Sequence, residues 1–181
     1  MHDRTRELLQ HLDASEEGFR DALAAIPATQ HDTRPADDVW SAANVMSHLA
    51  RTEGQVAAFL QRALQKALGD GLPPAAADAG LVLAAMDGAQ ILDRSVRLVA
   101  PDFAAPDPAM IAEVAQQKLD RARVRARELL VSADGLDTSS VRRPHHVLGE
   151  LTFEQWIAFV GFHQQRHTAQ IHELASKLTA G

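Results

Sequence analysis

Two histidines near the end of the chain, His163 and His167, are spaced so that their side chains share one face of a helix. The segment from Phe153 to Leu178 places Phe153, Trp156, Val160, His163, His167, Ile171, Leu174 and Leu178 in steps of three or four residues. That is the period of an α-helix with one face turned to a core. Both imidazoles fall in the apolar stripe. A buried imidazole needs a partner for each ring nitrogen, and an unmet one costs about 1–3 kcal/mol, so two in adjacent turns suggest something held between them. A metal ion satisfies both, and two hydrogen-bonded core histidines are the alternative; with 9 histidines in the chain, the spacing alone does not separate the two.

The frame that must position these groups is helical. The 181 residues, 46% hydrophobic and 23% charged, suffice for a single domain spanning 1–181 with its own core. Strand-like alternation is missing, aromatic and β-branched residues are scarce, and Ala, Leu, Gln, Glu and Arg are plentiful, which predicts an all-α protein. Repeats and low-complexity tracts are absent.

The first helix is expected over Thr5 to Ile26, with Leu8, Leu9, Leu12, Phe19, Leu23 and Ile26 inward and Pro27 ending it. A polar loop from Ala28 to Asp38 leads to Ser41, the expected N-cap of a second helix running to about Leu68, where Gly69, Asp70 and Gly71 stop it. Val45, Leu49, Thr52, Val56, Phe59 and Ala63 mark its buried side, and His48 sits on the edge of that face. The stretch from Gly71 to Gly80 reads as a linker, and Leu81 to Val99 as an extra helix or partly helical crossover. Pro108 is expected at the start of a third main helix ending near Val131, with Met110, Ile111, Val114, Leu119, Ala122, Leu129 and Leu130 inside. A loop from Leu136 to Leu151 follows, and Thr152 with Gln155 forms a capping box for the last helix. The sum is a four-helix bundle with a crossover segment between helices two and three.

Composition also excludes functions. A net charge of -6 argues against nucleic-acid binding as the main activity, because a phosphate-binding surface needs a dense basic patch. Arg121, Arg123, Arg125 and Arg127 are expected to spread over a helix surface and to pair with Asp120 and Glu128. Met1 to Gln10 is charged, and no apolar span reaches membrane length, so a cytoplasmic protein with no membrane partner is expected. With no cysteine in the chain, any thiol chemistry must use a thiol supplied from outside.

Three stretches taken together, Trp40 to Glu53 with His48, His145 to Trp156 with Gly149, and His163-Gln-Gln-Arg-His167-Thr-Ala-Gln170-Ile171, resemble the DinB/YfiT-like family along essentially the whole chain. The resemblance implies a four-helix bundle holding a divalent metal through His48, His163 and His167. Three nitrogen ligands leave a coordination position open, as a catalytic metal requires, and suit zinc first and nickel second. A metalloprotease helix needs His-Glu-x-x-His, and Gln164 stands where that Glu belongs, which excludes that mechanism.

Some relatives in that family use bacillithiol or mycothiol as thiol donors, and others resemble metal-dependent hydrolases or maleylpyruvate isomerases. The leading expectation is therefore a metal-dependent enzyme that transfers a low-molecular-weight thiol to an electrophilic small molecule. Hydrolysis at the same site and a non-catalytic, metal-binding stress-response bundle are the alternatives. The resemblance also implies a homodimer. Gln170 and His145 are the candidate catalytic residues, Gln170 by orienting a ligand or water and His145 by proton transfer, with helix packing and placement in a surface loop as the alternatives. The family often has His-Pro where this chain has His145-His146. Glu53 is a candidate for a supporting hydrogen bond, Arg166 is expected at the surface or at an interface, and Trp40 and Trp156 are expected to be core anchors. For His2, His11, His31 and His172 the sequence offers no partner.

Overall fold

A computed structural model describes residues 1–76, 79–95 and 99–179. The elements run α1 (Asp3–Ala24), α2 (Ala42–Asp70), the short α3 (Gly88–Leu92), α4 (Ala112–Ser132), strands β1 (Arg142–His145) and β2 (Gly149–Thr152), and α5 (Phe153–Thr179). The fold is an all-α bundle of four long helices with one small antiparallel sheet. The helices associate chiefly as two pairs, α1 with α5 and α2 with α4.

The ends of the two helices that carry the candidate ligands are set by local chemistry. Ser41 Oγ accepts from Asn44 N–H while the Asn44 side chain accepts from Ser41 N–H, a reciprocal cap that starts α2. Gly71 ends it at φ +87°, a conformation available to glycine at little cost. The expected pair at the start of α5 is present: Thr152 N–H donates to Gln155 Oε1 at 3.0 Å and Gln155 N–H to Thr152 Oγ1 at 3.3 Å.

The crossover is partly helical, as expected: a 3-10 turn at Leu83–Ala85 precedes the short α3, which ends where Asp93 Oδ1 accepts from Ser95 N–H in a side-chain turn. Residues 96–98 of that expectation lie outside the described residues, as do 77–78 of the expected linker. Pro108 does not open α4. The Asp107 carboxylate instead accepts from Ala109 N–H, and α4 starts at Ala112, whose N–H is taken by Asp32. Ile111 is therefore 54% exposed and Val114 39% exposed, not core. The expected loop from Leu136 to Leu151 contains a hairpin that pairs Arg142 with Thr152 and His145 with Gly149. Its turn is organised by His145 Nδ1, which accepts from the N–H groups of both Val147 and Leu148 at 3.1 Å.

The core is divided. One apolar cluster includes Leu12, Val56, Leu60, Ala126 and Val160, and a second includes Phe19, Leu49, Leu119 and Ile171. On each long helix the step between clusters is polar: Ser15 and Glu16 on α1, Glu53 on α2, Arg123 on α4 and Gln164 on α5, all buried. Arg123 thus departs from the expected surface position, because it lies between Leu119 and Ala126 on the inward face of α4. The Asp120 carboxylate lies 3.7 Å and the Glu16 carboxylate 4.0 Å from it, with the buried Glu53 carboxyl group at 3.9 Å. The Gln164 amide serves both sides when its oxygen faces Arg123 Nε at 3.1 Å and its nitrogen faces Ser15 Oγ at 3.0 Å. Burial of a charge is tolerated where such partners neutralise it.

Candidate metal centre

His48 comes from α2, and His163 and His167 from successive turns of α5. Their ring nitrogens converge. His163 Nε2 lies 3.2 Å from His48 Nε2 and 3.2 Å from His167 Nε2, and one ligand atom from each residue falls within 4.8 Å of the others. Nitrogens bound about 2.0–2.1 Å from a tetrahedral zinc stand about 3.3 Å apart, so the three imidazoles match the donor set of such an ion.

The far sides of the rings agree. His48 Nδ1–H donates to the Ala104 carbonyl at 2.7 Å, and His167 Nδ1–H donates to Gln170 Oε1 at 2.7 Å. Each bond fixes the tautomer that leaves Nε2 bare for a cation. His163 Nδ1 is buried and has no hydrogen-bond partner among the described residues. Burial dominates the titration of all three: His48 is lowered, His163 is held well below the usual imidazole range with help from its two neighbours, and His167 falls to about 3. All three are neutral at pH 7, the form that binds metal.

Aromatic rings enclose the set. Trp40 lies parallel to the His167 ring at 6.4 Å and tilted over His48 at 5.2 Å, so it is part of the site wall and not only a core anchor. Phe159, one turn before His163, stacks on it at 5.2 Å. Trp156 is buried and donates Nε1–H to the Arg143 carbonyl at 3.1 Å. The histidines open on a cleft of about 1200 Å³. A site that is both walled by apolar rings and reached through a cleft suits a small-molecule reaction.

The other candidates are placed as follows. Gln170 touches His167 and lines the cleft. His145 also lines the cleft, one ring from the donor set, at 4.7 Å from Phe159. With Nδ1 engaged by two backbone donors its neutral ring carries the proton on Nε2, and burial, aided by His146, lowers its pKa to about 4. It is thus a hydrogen-bond donor at neutral pH. Glu53 does not support the histidines; it faces Arg123 in the polar layer. Arg166 is not a surface residue. It is 8% exposed, and its Nη1 donates to the carbonyls of Ile91 (3.1 Å) and Asp93, tying α5 to the crossover. His11 has a partner after all: its Nε2–H donates to the Ala158 carbonyl at 3.1 Å. Sequence reasoning missed the Ala104 carbonyl, for which no residue-type signal exists, and Phe159, which the i−4 spacing from His163 could have revealed.

The chain is thus a helical bundle that brings three histidines together at one donor set. The chain belongs to the DinB superfamily, whose family model matches residues 11–171. It is similar to the uncharacterized protein YuaE of Bacillus subtilis, 27% identical over 146 residues that cover 80% of this chain and 83% of that protein. No solved structure gives a significant match. Among the described residues, no helix is long and apolar enough to cross a membrane.

Proposed function

We propose that the protein is a metal-dependent enzyme that transfers a low-molecular-weight thiol to an electrophilic small molecule. The observation that carries this reading is the convergence of three neutral Nε2 atoms on one point at the floor of a cleft. A bound divalent ion, zinc or nickel, supplies Lewis acidity that makes a thiol nucleophilic at neutral pH. The chain contributes no thiol, since it lacks cysteine, so the nucleophile enters with the substrates as a cofactor of the bacillithiol or mycothiol kind.

The protein residues have distinct tasks. Ala104 and Gln170 hold the His48 and His167 rings in register. Trp40 and Phe159 exclude water from two sides and raise the strength of every electrostatic contact in the site. His145 offers a hydrogen-bond donor, its Nε2–H, on the cleft wall, suited to an oxygen that gains charge on the electrophile. Assembly as a homodimer and a cytoplasmic location belong to the same reading.

The test is an assay of the metal-loaded protein against a model electrophile such as a chlorodinitroarene, with and without an added small thiol. Consumption of the electrophile that needs both metal and thiol is expected. Turnover that needs metal alone would replace transfer by hydrolysis, and no turnover by any loaded form would reduce the site to metal binding.

A further inference from the structure

The cleft is lined by more cations than carboxylates. Five cations line it, Arg62, Arg94, Arg143, Arg166 and Lys177, against two carboxylates, Asp38 and Glu173. The chain as a whole has 18 Lys and Arg against 24 Asp and Glu, so the cleft reverses the balance of the protein. The excess is not spread evenly. Arg94 is held by Glu173, which follows His167 on α5, through two hydrogen bonds of 3.0 and 2.6 Å, so that carboxylate belongs to the His167 end. At the other end Arg62 and Arg143 have no carboxylate within ion-pair distance among the described residues. Glu150, the acid of the hairpin, is 3.9 Å from Arg142 instead.

An apolar track joins these two arginines to the histidines. The Arg143 carbonyl is fixed by Trp156, and Arg62 lies one turn beyond Phe59, whose ring meets Trp156 edge-on at 4.8 Å. From Trp156 the track continues to Phe159 at 5.4 Å and from there to His163 at 5.2 Å. Seven residues of α5 separate Trp156 from His163, a span of about 10 Å.

We infer that the cleft takes an elongated organic carboxylate. Its anionic end is held by Arg143 and Arg62, its apolar middle lies along Phe59, Trp156 and Phe159, and its reacting end meets the three histidines. A planar guanidinium matches a carboxylate through paired N–H donors, and the aromatic wall favours an apolar spacer over a second polar group. The third contact rests on the metal reading proposed above; the first two do not.

Two titrations of the full chain test this. In metal-free protein, octanoate and octanol are compared through tryptophan fluorescence, because Trp156 lies on the track. Octanoate is expected to bind about tenfold more tightly, with the preference shrinking as salt is raised and lost in Arg143→Ala combined with Arg62→Ala. Equal affinities, or a preference that survives the double substitution, would overturn the inference. In cobalt-loaded protein, mercaptooctanoate is expected to produce a thiolate-to-cobalt absorption band at a lower concentration than mercaptooctanol. A cobalt titration that stays flat with both thiols while octanoate keeps its preference would overturn the metal reading and the third contact, and would leave the anion end standing.

Discussion

His48 is oriented from outside the bundle: its Nδ1–H donates to the carbonyl of Ala104, 2.7 Å away on the crossover segment. The neighbouring Phe103 carbonyl accepts from Arg51 Nε at 3.2 Å and Gln55 Nε2 at 2.7 Å, and Ser47 Oγ accepts from Asp107 N–H at 3.0 Å. The least regular part of the chain is thus strapped along α2 and sets the angle of one ligand. The orientation of His48 and the order of the crossover are coupled through a single peptide group.

Removing the strap should therefore weaken metal binding without melting the helices. Arg51→Ala combined with Gln55→Ala is expected to lower affinity about tenfold, the small end of the range for groups that orient ligands. Competition with a chromophoric chelator measures it, and circular dichroism checks that helix content is retained. Unchanged affinity would mean that the Ala104 carbonyl is held by other contacts.

Gln170 supports the opposite ligand, and the chemistry of the bond distinguishes support from packing. Gln170→Ala should cost about 10–100-fold in metal affinity, whereas Gln170→Glu, which still accepts from His167 Nδ1–H, should retain most of it. Equal losses in the two variants would point to packing alone.

Gly161 is where α5 admits α1. A Cβ built there would stand 2.2 Å from His11 Nε2, in a position where the imidazole is held by Ala158. Gly161→Ala is expected to destabilise by about 1–3 kcal/mol despite the better helix propensity of alanine. His11→Ala in that background should recover part of the loss, as thermal melts of the two single variants and the double variant would show.

The polar layer gives a pH dependence of stability. Burial pushes Glu53 up from 4.5 to about 8, while the Arg123 charge pulls it down, and neither carboxyl oxygen has a hydrogen bond among the described residues. The folded chain then keeps a proton that the unfolded chain releases. The contribution is complete below the unfolded value of 4.5 and is lost as pH rises through about 8. Glu53→Gln cannot ionise, so its melting temperature relative to the native chain should rise from about pH 5 to about pH 9. A constant difference would show that Glu53 stays ionised throughout.

The histidine stripe on α5 and the Ser41 cap of α2 were legible because helical period and capping chemistry are local properties of sequence. The same locality explains the failures. Nothing near Pro108 signals that Asp32, 80 residues before Ala112, caps the first turn of α4, and so moves its start. Arg123 reads as a surface charge until Glu53 and Glu16 are brought beside it by two other helices. Arg166 reads as solvated until the crossover offers it the carbonyls of Ile91 and Asp93. Of the site, the three ligands could be named from the chain together with the family resemblance, but Trp40 as wall and Ala104 as orienting group depend on tertiary contacts alone.

We propose that His48, His163 and His167 together hold one divalent ion. Elemental analysis of protein purified without an affinity tag or chelator, beside His48→Ala and His167→Ala, tests it most directly. About one zinc or nickel per chain is expected in the native protein and little in either variant, since two remaining imidazoles bind far more weakly than three. A native chain that takes up no metal even after reconstitution, or variants that bind as well as it does, would rule out the three-histidine site.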